Sequence, residues 1–277
     1  MKTRNRITMI LAMLFTAAMV FGLTTLNAAA EEKATDEAAE LAMKLSNPIA
    51  SLISVPIKYD YDTGIGKADA DRSTFTIQPV IPLELNETWN VISRTIVPVH
   101  IDAESPVAGG SDTNGMGDIL QSFFISPKAP TEQGWIWGAG PALALPTGSD
   151  GLTTDKFSVG PTAVALKQKG GWTYGALANH LWSVSGDDDR SDVNATFLQP
   201  FLAFVTKTHT TLSANTESSY DWTAEEWTVP VNLTVSQLVK VGKQPISVQV
   251  GYRNYLDAPK GGPDWGLRFQ VTFLFPK

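Results

Sequence analysis

Seven ionisable residues stand inside stretches whose side chains otherwise alternate apolar and polar: Lys58, Asp60, Arg94, Glu217, Asp221, Arg253 and Arg268, with Asn215 and Gln270 as hydrogen-bonding neighbours. Cations and carboxylates fixed on one wall set a field across the space they face, and a polar solute entering that space is oriented by it. Without a solute, the same groups serve as a structural network of buried pairs. Two other groupings suggest different chemistry. Asn179-His180 with Ser183 offers the residue types of a hydrolase, but in a strand His180 and Ser183 differ in parity and point to opposite faces. Asp187, Asp188, Asp189 and Asp192 cluster hard oxygens of the kind that hold divalent cations. They lack the spacing of a calcium loop, so a solvated acidic loop is the simpler reading. Neither Gly115-Met-Gly-Asp118 nor Gly138-Ala-Gly140 completes a phosphate-binding pattern, and no cofactor or metal site is expected.

The elements that must position these residues are strands. In the stretch Trp265 to Phe275, the residues Leu267, Phe269, Val271, Phe273 and Phe275 project to one face, and Gly266, Arg268, Gln270 and Thr272 to the other. A strand of about ten residues with aromatics outward is what crosses an outer membrane as one stave of a closed barrel, and a chain ending on it suggests a bacterial outer-membrane protein. Pro276-Lys277 departs from the usual terminal aromatic. A lysine or arginine facing lipid at the midplane costs roughly 2 to 4 kcal/mol, so Arg94 and Arg253 should face the lumen. Glu217, Lys58, Asp60 and Arg268 fit the same phase. The strand from Trp172 stays ambiguous, because Trp172, His180 and Trp182 share one parity while Asn179 takes the other.

The opening residues supply a compartment. Lys2, Arg4 and Arg6 precede an apolar run from Ile7 to Leu26 and a small-residue site at Ala28-Ala29-Ala30, so residues 1–30 read as a secretory signal peptide cleaved after Ala30. The competing reading, an uncleaved membrane helix, is disfavoured by that site and by Glu31-Glu32 beyond it. Losing three basic and no acidic residues takes the formal charge from -7 to -10, which excludes the concentrated basic surface that nucleic acid requires. With no cysteine, disulfides, thiolate metal sites, cysteine catalysis and an N-terminal lipid anchor are excluded. No second long apolar segment follows, so spanning after Ala30 must be done by strands.

From Ile49 onward, about twelve alternating segments are separated by Gly, Asp, Asn, Ser and Pro clusters. The expected fold is all-β, an antiparallel transmembrane β-barrel of about 12 strands within a range of roughly 10 to 14. Its domain is 49–277. Long polar connections such as Ile101 to Gly115 alternate with short ones such as Gln168 to Gly171, the asymmetry of short periplasmic turns and longer external loops. Trp89, Trp135 and Trp172 open strands after short turns, while Trp182, Trp222, Trp227 and Trp265 lie beside the opposite loops, as two interfacial girdles require. Prolines at 56, 79, 82, 98, 141, 161, 200 and 230 fall within the segments and argue for bulges or a locally broken wall. The segment 31–48 carries Ala34, Ala38, Leu41, Ala42 and Leu45 at helical spacing, a short amphipathic helix on the periplasmic side whose alternatives are a solvated stub, a plug of the lumen or a docking element for a periplasmic partner.

Phrases through almost the whole of the remaining chain resemble the outer-membrane proteins grouped with the MetA-pathway phenol-degradation proteins. Among them are Asn47-Pro-Ile-Ala-Ser-Leu-Ile-Ser-Val-Pro56, Gln78-Pro-Val-Ile-Pro82, Trp135-Ile-Trp-Gly138, Gly160-Pro-Thr162, Ala178-Asn-His180 and Asn215-Thr-Glu-Ser218. The resemblance implies an outer-membrane channel or uptake component for small solutes, with aromatic or hydrophobic compounds as a candidate class, and carries no substrate residues. The chain is then no enzyme and works by passive diffusion through a narrow lumen, since about twelve strands leave a tight passage. Expected partners are outer-membrane lipid, lipopolysaccharide, the barrel-assembly machinery and the solute. The alternatives are an outer-membrane lipid hydrolase, or a structural or adhesive barrel acting through acidic external loops.

Overall fold

The computed structural model describes residues 28–105, 107 and 110–276. The leader expected over 1–30 lies, but for its last three residues, outside the described residues. One helix, α1 (Ala28–Leu45), precedes fifteen strands: β1 (Ile53–Ile65), β2 (Ala70–Ile77), β3 (Val80–Glu84), β4 (Trp89–Ala103), β5 (Thr113–Met116), β6 (Ile119–Pro127), β7 (Trp135–Leu145) and β8 (Lys156–Lys169). The others are β9 (Trp172–Gly186), β10 (Asn194–Val205), β11 (Thr210–Thr216), β12 (Ser218–Asp221), β13 (Glu226–Val241), β14 (Gln244–Asp257) and β15 (Trp265–Phe275). Three staves are broken in the middle, β2 with β3, β5 with β6, and β11 with β12. The wall is therefore an antiparallel barrel of twelve staves. It closes on both sides of β1, with Ile53 opposite Phe275 and Lys58 opposite Gln270 on β15, and Ile57 opposite Ile77 on β2. Closure leaves no sheet edge, the condition for a sheet to survive in lipid.

The prolines sit where the ladder is interrupted. Pro79 lies in the break between β2 and β3, and Pro230 at a register shift opposite the gap at Glu217. Pro200 falls between the part of β10 paired with β12, which ends at Leu198, and the part paired with β11, which starts at Phe201. Pro141 and Pro161 face each other within an unbroken β7–β8 register, and the pairings that skip beside them are β6–β7 at Pro141 and β8–β9 at Pro161. The wall closes around these bulges rather than opening at them.

Side chains alternate between lumen and outside. Trp135, Trp137, Trp172, Trp182, Trp222, Trp227 and Trp265 are all exposed on the outer face, with Leu202, Leu212 and Leu233 between them. The ambiguous stave resolves as β9 with Asn179 buried inward and Trp182 exposed. The connection at 66–69 is only a tight turn, because β1 and β2 continue to Ile65 and from Ala70; Asp62 and Arg72 thus belong to the wall, not to a loop.

The inside has two unlike halves. Around β3, β4, β6, β8 and β9 it is apolar: Val80, Ile92, Phe124, Val164, Leu166 and Leu177 form one buried cluster, with Phe197 and Phe201 of β10 against it. Around β1, β11 and β13 to β15 it is polar and charged. The chain between α1 and β1 enters the lumen at the end bearing the shorter turns. Ile49 joins the apolar cluster, while Leu41, Ala50 and Leu52 pack on Leu238 and Leu274. Gln168 Nε2 donates to the Met43 carbonyl at 2.7 Å, and Asn90 Nδ2 to Ser51 Oγ at 2.9 Å, fixing the segment to the wall.

Candidate functional site

The alternation of β1 puts Lys58, Asp60 and Asp62 on the inner face, and that of β14 and β15 brings Arg253 and Arg268 beside them. Arg268 donates from Nε to Asp60 Oδ1 at 2.7 Å and from Nη2 to Asp60 Oδ2 at 3.1 Å. It also donates from Nη1 and Nη2 to the two Glu217 oxygens at 2.9 and 2.8 Å, a fork-to-fork pair. Arg253 reaches Glu217 Oε2 at 2.9 Å, Asp60 Oδ2 and Asp62 Oδ1 at 3.4 Å each, and Asn232 Oδ1 at 2.8 Å. Asn232 Nδ2 donates on to Asn215 Oδ1 at 2.9 Å. Tyr255 and Arg72 complete the hold on Asp62, at 3.0 and 3.3 Å. Asp60, Asp62, Arg253 and Arg268 are at most 7% exposed. Carboxylates and guanidiniums this dry persist only when most of their lone pairs and protons are matched, as they are here.

Two cations of this wall stand differently. Lys58 Nζ lies 3.8 Å from Asp60 and 3.9 Å from Glu217, beyond hydrogen-bond range of both. Arg94 of β4 makes no ion pair among the described residues. Its Nε and Nη2 donate at 3.0 Å each to the Gln78 oxygen, with the amide oriented by that contact. Both cations, with Gln78, Glu217, Arg268, Asn215 and Gln270, line a cavity of about 240 Å³. The segment from Lys44 to Leu52 walls it on one side and Val80, Phe201 and Ala203 on another.

Eight of the nine residues singled out in the sequence therefore meet around one region of the lumen. Asp221 does not join them: it is exposed, and its Oδ1 accepts from the backbone N–H of Thr223 and Ala224 at 2.8 and 3.1 Å, capping the turn after β12. Asp62, Arg72, Gln78, Asn232 and Tyr255 belong to the region and were missed. The parity of Lys58, Asp60 and Asp62 was the available signal.

The other groupings do not assemble. His180 Nδ1 pairs with Thr196 Oγ1 at 2.7 Å and His100 Nδ1 with Thr74 Oγ1 at 3.1 Å, whereas Ser183 Oγ donates to Asp192 Oδ1 at 3.1 Å. Nucleophile and base are thus not in contact. Asp192 also pairs with Lys156 at 3.2 Å, and hydrogen bonds from Lys156 and Ser183 hold its carboxyl below the usual range. Among the described residues, no three His, Cys, Asp or Glu side chains are arranged to hold a metal ion.

No protein-family model matches the chain, and no curated protein matches it in sequence. Among solved structures it is similar to an outer-membrane channel from Pseudomonas putida F1, at TM-score 0.63 and 15% identity over 81% of this chain and 96% of that one. It is also similar to the NanC porin, at TM-score 0.50 and 10% identity over 80% of this chain and 100% of that one. An outer-membrane phospholipase A from Escherichia coli overlaps less well, at TM-score 0.48 and 12% identity over 80% of this chain and 92% of that one. The likeness is one of fold: a closed antiparallel barrel of the outer-membrane, porin-like kind.

Proposed function

We propose that the chain is an outer-membrane channel that passes small solutes by passive diffusion through a narrow lumen. One observation carries this reading: a closed twelve-stave wall, apolar and tryptophan-studded outside, holds a polar cavity lined by cations and amides inside. In this reading the barrel sits in the outer membrane of a Gram-negative cell, inserted by the barrel-assembly machinery, with its tryptophans among lipid and lipopolysaccharide headgroups. Eight of the nine residues singled out, Lys58, Asp60, Arg94, Asn215, Glu217, Arg253, Arg268 and Gln270, line or support the pathway; Asp221 does not. Kinship with the phenol-degradation group, and with it a taste for aromatic or hydrophobic solutes, belongs to the same proposal. It is supported by the apolar half of the lumen. The Ser183 and His180 geometry gives the hydrolase alternative no support.

Purified protein reconstituted in planar bilayers should give discrete conductance steps. Silent bilayers containing protein shown to be folded would overturn the channel.

A further inference from the structure

We infer that the 240 Å³ cavity is a subsite for small organic anions, a carboxylate head on an apolar body. This rests on the channel reading for its role in transport, but not for binding itself.

The charge around the cavity is unbalanced. Lys58, Arg72, Arg94, Arg253 and Arg268 face only Asp60, Asp62 and Glu217, so the region is cationic inside a chain whose total charge is -7. The surplus is not spread evenly. The guanidinium N–H groups of Arg253 and Arg268 are committed to carboxylates, Asn232 and Tyr255. Lys58 has no hydrogen-bond partner among the described residues, and Arg94 is held by a neutral amide and makes no ion pair among them. These are the two cations with donors to spare, and both open on the cavity.

A guanidinium offers a fork and an ammonium a point charge, a pair suited to a planar carboxylate. An inorganic anion would need only that end. One part of the lining is apolar, from Val80, Phe201, Ala203, Ala50 and Leu52, and matches an uncharged hydrocarbon or aromatic body, while Ser213, Asn215, Thr234 and Gln249 add hydrogen-bonding groups beside it. At roughly 30 Å³ per water in the liquid, the space corresponds to a solute on the order of ten non-hydrogen atoms.

The test uses three probes of one size and shape: benzoate, neutral benzamide and cationic benzylamine. Each is titrated into the folded protein in detergent micelles by calorimetry, and added to open channels in bilayers to read current block. Benzoate should bind at least tenfold more tightly than benzamide, with benzylamine weakest. Arg94→Gln and, independently, Lys58→Gln should each remove most of that preference while leaving benzamide unchanged. Equal affinity for benzoate and benzamide, a preference for benzylamine, or a benzoate preference that survives both substitutions would each overturn the subsite. Benzoate binding in micelles beside silent bilayers would uphold the subsite and overturn the channel. Conductance without any benzoate preference would do the reverse. Should Arg94→Gln fail to fold, Lys58→Gln alone decides, since Lys58 makes no hydrogen bond that folding depends on.

Discussion

Glu217→Gln separates charges that hold the wall from charges that face the solute. Glu217 accepts three hydrogen bonds of 2.8 to 2.9 Å from two guanidiniums. The glutamine keeps one acceptor and turns an NH2 group toward Arg268, placing donor against donor. Breaking one side of a buried pair costs about 3 to 5 kcal/mol because the partner charge stays buried. Here Arg253 and Arg268 keep Asp60, so the lower end, about 3 kcal/mol, applies. Lys58→Gln removes contacts of 3.8 and 3.9 Å and breaks no hydrogen bond, so it should cost less than Glu217→Gln. Urea unfolding of the micelle-folded barrel, followed by tryptophan emission, measures both. The pair Glu217→Gln and Arg268→Gln should couple by at least about 2 kcal/mol in a double-mutant cycle. A Glu217→Gln loss below about 1 kcal/mol, or strict additivity with Arg268→Gln, would refute the network as a structural clamp.

Three further outcomes follow from particular contacts. Deleting residues 31–52 removes the 46–52 segment that enters the lumen, together with the helix before it, and should raise the conductance step about twofold or more, because the barrel cross-section is then no longer shared; an unchanged step would place the path elsewhere. Gly160→Ala puts a methyl group against the His180 carbonyl oxygen of β9, so urea unfolding should show a loss of about 1 to 3 kcal/mol from overpacking. Burial raises the Asp118 carboxyl, but hydrogen bonds from Thr154, Thr153 and Gly148 outweigh it and hold the group below its ordinary value. Its folded form thus binds protons less readily than its unfolded form, so its contribution is present above about pH 3.9 and lost as pH falls further. Proteolysis of the 146–155 loop should accelerate below about pH 4, and in Asp118→Asn it should already be fast at neutral pH.

The stave from Trp265 to Phe275 was legible to the residue, because lipid on one side and polar groups on the other force strict alternation. Asp62, Arg72 and Tyr255 were not legible as site residues. Polar residues near strand ends read as loop, and only pairing across β1, β2 and β14 shows that the strands run on past them. Parity also indicates which charges point inward without saying which neighbour each meets. Asp60 reaches Arg268 on the adjacent stave and also Arg253 on the stave beyond, a geometry set by stagger and side-chain length. The prolines misled in the opposite sense. Each reads as a strand breaker, yet breaks in neighbouring staves coincide, as at Pro200 and Pro230, where one bulge absorbs both missing donors.

The two halves of the lumen were written in the sequence as two kinds of strand. Where the interior is polar, as along β1, β11 and β15, apolar and polar residues alternate. Where it is apolar, both faces are apolar and alternation vanishes: Trp135–Leu145 and Phe197 to Val205 read as almost continuous apolar runs. Such runs are typical of strands buried on both faces. Here one face is the barrel's outer face, which the channel reading places in lipid, and the apolar cluster with Ile49 covers the other. A uniformly polar pore would have kept the alternation in every stave, and a filled barrel would have lost the charges. The chain does neither. Its cavity lies where the two kinds of wall meet, with Lys58 and Arg94 on the polar side and Val80 and Phe201 on the apolar side. A solute that satisfies both must itself be amphipathic.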